Sequence, residues 1–401
     1  MTCSINQRIF GSELKYLREV LDTEFRSSKG STMMRRLEEA FANRFDSKFA
    51  IACVNGTATM HAALEARGIG PGDEVIVPPL TMSATTFAVL QANATPVFAD
   101  VDEHTFQIDP SSIAERITPQ TKAIITVALY GLSPDMDPIM LLAEKHGLTV
   151  IEDNAECFLG TYKRRLVGTL GHCASFSFQS SKHLTSGEGG IVITDDFDLA
   201  ESIRKVQSLG YAGVGASKGK ISKTDIQDPG YSRHVSMGWN YRMPELCCAV
   251  ALAQTENIDA LVARRVEVAR IFHEATQDFH DWFRPQHSGS EYTNSYWTWV
   301  CCICDPSLTW HDFRDRFLAA GGDGVYAAWK LTYLEPMFLN RNLLGRENFI
   351  SDKNMASYSS GLCPIAERLQ PNLVQFKTNY WDLSRAYQQA EILNNTLSSF
   401  R

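Results

Sequence analysis

A lysine and an aspartate at the ends of two strand-like segments carry the strongest chemical signal in this chain. Lys182 follows the segment 175–178 and precedes the glycine-rich turn 187–190, and Asp153 ends the apolar segment 150–153. A lysine amine that burial or a neighbouring cation keeps unprotonated is a nucleophile toward carbonyl groups. Such a lysine near a buried carboxylate suggests an aldehyde cofactor attached as a Schiff base. Pyridoxal 5'-phosphate (PLP) is the cofactor that this pattern predicts.

A PLP site also needs a carboxylate at the pyridine nitrogen, donors for the phosphate and a group on the ring face. Asp153 is the predicted partner of the nitrogen, because a protonated ring acts as an electron sink. Met82 is the candidate for the ring face, since thioethers pack well on aromatic rings. Main-chain N–H groups at a helix start bind phosphate, and the predicted phosphate residues are Gly56, Thr57, Ala58 and Ser177.

Each of these residues also has a more ordinary interpretation. Lys182 alone could be a solvated loop lysine, Asp153 a helix cap and Met82 a core side chain. A Gly-Thr turn is common where a strand leads into a helix. The order and spacing of the features together favour the cofactor hypothesis, although no single one of them does.

The elements that must position these residues alternate between short apolar segments and helical patterns. This alternation predicts a mostly parallel sheet that is covered on both faces. Ligands of such sheets bind at the carboxyl ends of the strands, where Thr57 and Asp153 fall. The predicted strands include 49–54, 74–78, 96–100, 123–129 and 149–152.

The chain has 401 residues, which exceeds the size at which one hydrophobic core stops growing. We therefore expect an N-terminal arm and large PLP-binding domain at 1–255, and a smaller C-terminal α/β domain at 256–401. The polar segment 212–233 between two more regular regions is expected to form a long loop.

Composition limits the classes of partner. The net charge of −8 argues against a general nucleic-acid role, and no apolar run is long enough to span a bilayer. Early charged residues such as Arg8 and Lys15 argue against a signal peptide.

The cysteines are scattered along the chain, which fits a reducing cytoplasm. Residues 301–304 contain three cysteines but no second ligand pair, so no metal site is expected.

Four motifs, in their order along the chain, resemble the PLP-dependent sugar aminotransferases of the DegT–StrS group. The resemblance covers about residues 30–275 and fades toward the C-terminal part of the chain. It implies an α/β protein of fold type I, the aspartate-aminotransferase-like type, with a large domain built on a mostly parallel sheet. The motifs lie at 70–78, 151–153, 176–190 and 238–245.

The resemblance also implies roles for single residues. Lys182 matches the lysine that carries the cofactor, Asp153 the partner of the ring nitrogen, and Glu156 a residue near the ring hydroxyl. Asn240 matches an asparagine that reaches the phosphate from a neighbouring subunit, which implies a homodimer with a shared active site. The family's other phosphate-binding positions match Thr57, Ala58 and Ser177.

We therefore expect a transaminase that moves an amino group from L-glutamate to a keto-sugar, with a nucleotide-linked 4-keto-6-deoxyhexose as the leading candidate. Two alternatives stay open. A same-fold PLP-dependent sugar dehydratase would carry histidine at position 182, where this chain has lysine with His183 beside it. A non-enzymatic PLP-binding regulator would not need the whole set of cofactor residues. The sugar, its nucleotide and the aminated carbon are not specified, and cyclitol ketones are also candidates.

Overall fold

The computed structural model describes residues 7–25 and 32–401. The helices are, in chain order, α1 (Ser12–Asp22), α2 (Met33–Phe45), α3 (Gly56–Ala66), α4 (Ala84–Gln91), α5 (Pro110–Arg116), α6 (Met136–His146), α7 (Phe197–Gln207), α8 (Lys223–Gln227), α9 (Glu245–Glu256), α10 (Ile258–Thr276), α11 (Trp310–Ala319), α12 (Pro336–Leu339), α13 (Asp352–Ser357), α14 (Pro364–Leu369) and α15 (Leu383–Ser398). The strands are β1 (Phe49–Cys53), β2 (Glu74–Val77), β3 (Thr95–Phe98), β4 (Thr121–Val127), β5 (Thr149–Asp153), β6 (Thr161–Tyr162), β7 (Arg165–Leu166), β8 (Cys173–Ser177), β9 (Gly190–Thr194), β10 (Phe283–Pro285), β11 (Tyr292–Thr293), β12 (Thr298–Ile303), β13 (Val325–Ala327) and β14 (Leu373–Lys377).

The central sheet has seven strands in the order β1-β9-β8-β5-β4-β2-β3. Strand β9 runs antiparallel to both of its neighbours, and the other strands are parallel to one another. All residues of β2, β8 and β9 are buried, as expected for a sheet covered by helices on both faces. The predicted mostly parallel central sheet is therefore confirmed, and its parallel strands end along one edge.

A second, antiparallel sheet follows in the order β10-β12-β14-β13. It packs with α10, α11 and α15 around a separate aromatic core that includes Phe272, Trp299, Phe313 and Phe376. The long helix α10 begins at Ile258, close to the boundary proposed at 255/256. That domain boundary itself remains a prediction.

Residues 331–369 return from the second sheet to the first. The ring of Phe98 in β3 contacts Tyr333, Phe338 and Tyr358, and the Tyr358 hydroxyl donates to the Pro96 carbonyl oxygen at 2.6 Å. Residues 331–369 lie between two strands of the second sheet in the chain but pack in the core of the central sheet. The apolar residues of this return segment complete the core under β3.

Within the described ranges, no single helix is long and apolar enough to cross a lipid bilayer. Helices α9 and α10, the latter taken to Phe279, meet the criteria of length and composition only as a pair with a 65° bend. In the same ranges, no group of three or more histidine, cysteine or acidic side chains could hold a metal ion. Cys301 and Cys302 are instead buried in β12.

Candidate active site

A cavity of about 350 Å³ lies where the parallel strands of the central sheet end. Two of the nine predicted site residues, Ala58 and Asn240, do not line it. The cavity wall is completed by Trp297 and Trp329, which come from the second half of the chain. The seven predicted residues that the structure brings together there are Gly56, Thr57, Met82, Asp153, Glu156, Ser177 and Lys182.

Lys182 is buried and points into this cavity. Its residue is 8% exposed, and its Nζ donates to Glu156 Oε1 at 3.1 Å. The same Nζ lies 4.3 Å from the centroid of a Trp297 ring, where a cation is attracted by the π electrons. This geometry excludes the alternative of a solvated loop lysine.

Asp153 ends β5 and is held by fixed hydrogen-bond donors. Its Oδ2 accepts from the Thr85 hydroxyl at 2.8 Å and its Oδ1 from the Ala155 N–H at 3.2 Å. Burial raises the pKa of Asp153, while these donors and the charge of Lys182 lower it. A cation placed against the carboxylate would favour its ionised form further.

Glu156 is the second buried carboxylate of the cavity. Its Oε1 contacts Lys182, and its Oε2 accepts the N–H of Tyr130 at 3.0 Å. Burial raises the pKa of Glu156 as well, and the nearby Asp153 adds to the rise. Two carboxyl groups thus face a single lysine. A second cation in the cavity would balance the charge of both carboxylates. A protonated pyridine nitrogen is such a cation, and the site fits PLP in this respect.

The N-terminus of α3 also lines the cavity, through Asn55, Gly56 and Thr57. The Asn55 side chain caps the helix by accepting the Ala58 N–H at 2.8 Å. The N–H of Ala58 is therefore used in the helix cap. The first N–H groups of a helix have no partner inside it and bind anions readily. Those of Gly56 and Thr57 lie beside Ser177 at the end of β8, which makes this end fit a phosphate group.

Gly190 packs closely against the main chain of this turn, and we expect Gly190→Ala to weaken PLP binding by about tenfold or more. An added Cβ would lie 2.6 Å from the Asn55 carbonyl carbon and 2.8 Å from the Gly56 nitrogen. Overpacking of this kind costs about 1–3 kcal/mol, and 1.4 kcal/mol corresponds to a factor of ten. Titration of the apoprotein with PLP, followed by absorbance, measures the change.

Gly70→Ala is the matched control, because its Cβ would meet only the Ala92 carbonyl oxygen at 3.6 Å. Equal PLP affinities in the two variants would contradict a role of Gly190 in shaping the turn.

The structure places Met82 at the cavity and Asn240 away from it. Met82 lines the cavity and is 51% exposed, so its thioether is available to a planar ring. Asn240 is exposed and lies outside the cavity of its own chain. Both roles remain predictions, because one concerns a bound cofactor and the other a neighbouring subunit.

Sequence reasoning missed Trp297, Trp329 and Thr85. The two tryptophan rings are stacked, with centroids 5.8 Å apart and an angle of 25° between their planes. The Trp297 Nε1–H also donates to the Ser181 carbonyl oxygen at 3.0 Å. The sequence offered one signal for Trp297, the alternation in Trp297-Thr298-Trp299, but this signal is misleading. It predicts that Trp297 and Trp299 lie on the same face of a strand, whereas Trp297 lines the cavity and Trp299 packs in the second core.

The proteins similar to this chain include two relatives of the same name and a solved structure. GDP-perosamine synthase of Caulobacter vibrioides is 44% identical over 262 residues, which span 65% of this chain and 66% of the relative. GDP-perosamine synthase of Escherichia coli O157:H7 is 40% identical over 65% of this chain and 68% of the relative. The alignments thus span about two thirds of each relative.

The solved structure is an aminotransferase from Psychrobacter cryohalolentis. It is 30% identical and superposes with a TM-score of 0.85 over 98% of both chains. This agreement confirms the predicted fold, a large domain with a mostly parallel sheet followed by further α/β structure.

The family model for DegT/DnrJ/EryC1/StrS aminotransferases matches residues 7–350. The match covers most of the chain, including the cavity and all of its predicted residues. It confirms the resemblance drawn from the four motifs, and with it the expectation of an enzyme that uses PLP. The chain belongs to the DegT/DnrJ/EryC1/StrS aminotransferase family.

Proposed function

We propose that this chain transfers an amino group from L-glutamate to a nucleotide-linked 4-keto-6-deoxyhexose, working in the cytoplasm as a homodimer with a shared active site. The observation that carries the transamination is the meeting of Lys182, Asp153 and the N-terminus of α3 in one cavity. Those three features provide an amine, a counter-ion for a ring nitrogen and a phosphate site.

Two observations support a nucleotide-linked sugar as the acceptor. The relatives at 44% and 40% identity both carry a name that gives GDP-perosamine as product. A second cavity of about 420 Å³ shares Ser181, Trp297 and Trp329 with the first. A substrate whose sugar lies at Lys182 therefore has adjoining space for a group attached to that sugar.

Four residues of the cavity have separate roles in the proposed reaction. PLP, when bound, supplies an electron sink and carries the amino group between the two substrates. The Lys182 amine takes the proton from the Cα of the amino donor, and in the second half-reaction it returns a proton to the former keto carbon of the sugar. Asp153 keeps the ring nitrogen protonated, and Glu156 and the Trp297 ring hold the amine between them.

The proposed homodimer places Asn240 at the phosphate of the neighbouring subunit. Support comes from the chain around it, because Val235 and Met237 are 59% and 74% exposed. Apolar side chains at this exposure are more stable when a second surface covers them.

The dehydratase alternative is disfavoured by the position of His183. Its ring is fully buried, and its Nε2 lies 2.9 Å from the Ser295 carbonyl oxygen. Burial and the nearby Arg265 lower its pKa well below the usual value. Because His183 does not line the cavity, it is not placed to replace Lys182 as a base.

The test has two steps. The PLP-loaded protein is mixed with L-glutamate, and the loss of the lysine-bound cofactor band and the release of 2-oxoglutarate are measured. The product is then offered a panel of nucleotide-linked keto-sugars and cyclitol ketones, with the product mass as readout. Absence of any spectral change with glutamate would contradict the donor and favour a regulator, and amination of cyclitol ketones alone would overturn the sugar assignment.

Trp329→Ala should raise the KM for the keto-sugar about tenfold and affect the half-reaction with glutamate less. The substitution removes a half-buried side chain that lines both cavities, and an aromatic contact contributes about 0.5–1.5 kcal/mol beyond its area. Steady-state kinetics with the sugar and single-turnover kinetics with glutamate separate the two effects. Trp310→Ala, on α11 and outside both cavities, is the control. An equal loss in both half-reactions would refute a role limited to the sugar.

A further inference from the structure

Arg265 in α10 is a fully buried guanidinium that is bound by uncharged oxygens. Its residue is 2% exposed, and within residues 7–25 and 32–401 no carboxylate forms an ion pair with it. Its hydrogen bonds go to the carbonyl oxygens of Ser181 at 2.9 Å, Lys182 at 3.0 Å and Trp297 at 2.8 Å, and to the Thr378 hydroxyl at 3.2 Å. Burial lowers the pKa of Arg265 to about 9, which leaves the group charged at neutral pH.

A second guanidinium binds the same stretch of main chain. Arg8 donates to the carbonyl oxygens of Ser180 and Lys182, both at 2.6 Å. The Trp297 indole N–H donates to the Ser181 carbonyl oxygen. The three consecutive carbonyl groups that end at Lys182 are therefore all held by side chains from elsewhere in the chain. Hydrogen bonds from charged donors are about twice as strong as those between neutral groups.

Arg265 also joins the two elements that enclose the lysine amine. One of its nitrogens binds the main chain of Lys182, and the other binds the main chain of Trp297, whose ring covers the Lys182 Nζ. The guanidinium is planar and its N–H directions are fixed. The separation between the Lys182 main chain and the Trp297 main chain is thus set by one rigid group. Arg265 does not line the cavity that contains Asp153, but it does line the adjoining second cavity.

We propose that Arg265 is a positioning residue for Lys182. By holding the Lys182 and Trp297 main chains together, it fixes the Nζ at the point from which it attacks the cofactor and transfers protons. This inference rests on the proposed role of Lys182 and not on the identity of the sugar. Displacement of a reacting group by about 1 Å can lower a rate about 10²-fold, so the loss of this anchor should be visible in the rates that depend on the amine.

The test compares Arg265→Met with Arg264→Met in the PLP-loaded protein. Arg264 is the preceding residue of α10, is 3% exposed and donates to a main-chain oxygen, that of Trp381, at 2.9 Å. Both variants lose a buried guanidinium and a hydrogen bond to a carbonyl oxygen, but only Arg265 contacts Lys182. Far-UV circular dichroism and thermal unfolding establish that both variants fold.

Three readouts are followed: the rate at which PLP attaches to the apoprotein, the pH midpoint of the visible band of the lysine-bound cofactor, and the single-turnover rate with L-glutamate. Arg265→Met should slow attachment and turnover about 10- to 100-fold and shift the midpoint, with the KM for glutamate nearly unchanged. Arg264→Met should leave all three close to wild type. Arg265→Lys should restore part of the loss, because it retains one charged donor.

Wild-type values in Arg265→Met, or equal losses in the two methionine variants, would overturn the proposal. If Arg265→Met does not fold, Arg265→Gln takes its place, because the amide keeps a polar group there but cannot bind the Lys182 and Trp297 main chains together. Attachment rate and band midpoint need no sugar. The Arg265 test can therefore be interpreted even if the proposed sugar is wrong. A negative result for Arg265 likewise does not contradict the proposed sugar.

Discussion

Lys182→Ala is expected to lower the rate of amino-group transfer by about 10⁴-fold or more. One positioned acid–base group contributes up to about 10⁴-fold by itself, and Lys182 is also the proposed covalent attachment point of the cofactor. The substitution leaves the buried Asp153 and Glu156 without the lysine that both of them face. Both half-reactions should therefore fail together, because the same amine serves each of them.

Three measurements check this expectation. Single-turnover rates with L-glutamate report the first half-reaction, and borohydride reduction followed by mass spectrometry reports covalent attachment. A small primary amine added to Lys182→Ala should recover part of the proton transfer, since the substitution opens space in the cavity. Lys163→Ala, which removes a lysine paired with Asp137 at the surface, should behave as wild type. A borohydride-reducible adduct in Lys182→Ala would show that another residue carries the cofactor.

Asp153→Asn is expected to lower kcat about 10²- to 10³-fold, with a smaller effect on the KM for either substrate. The amide has the same shape but cannot neutralise a protonated ring nitrogen, so the electron sink is lost. Removal of a single group that stabilises developing charge in an enclosed site typically has an effect of this size. The visible spectrum of the bound cofactor should change as well, because the nitrogen loses its proton.

Glu152→Gln is the matched control for this prediction. Glu152 precedes Asp153 in β5 and is also buried, but its carboxylate accepts the N–H groups of Gly168, Leu170 and Gly171 at 2.6–2.8 Å. Its substitution should lower the free energy of unfolding and leave the cofactor spectrum as it is in the wild type. If Asp153→Asn retains the wild-type spectrum and kcat, the assignment of Asp153 to the ring nitrogen is wrong.

The residues that sequence reasoning placed correctly in the cavity share a simple property. Gly56, Asp153 and Ser177 each lie at or just beyond the end of a short apolar strand, and the ends of parallel strands converge at one edge of a sheet. Local pattern is enough to identify such positions. The strands were predictable for the same reason, since a strand buried on both faces appears as a continuous apolar run.

The residues that were missed depend on contacts between distant parts of the chain. Trp297 meets Ser181 across 116 positions, and Arg265 meets Lys182 across 83. No local pattern distinguishes Arg265 from Arg264, although the two side chains bind different segments. The return of residues 331–369 to β3 was unpredictable on the same grounds, because an apolar segment does not reveal which of two cores it joins.

That return segment has a consequence for how the protein can be divided experimentally. The chain passes from the first core to the second at α10, comes back after β13 to cover Phe98, and leaves again for β14. A fragment that stops at residue 255 would lose Tyr333, Phe338 and Tyr358 and leave the Phe98 ring open to water. We therefore expect a fragment that stops at residue 255 to be less stable than a chain that includes this return segment.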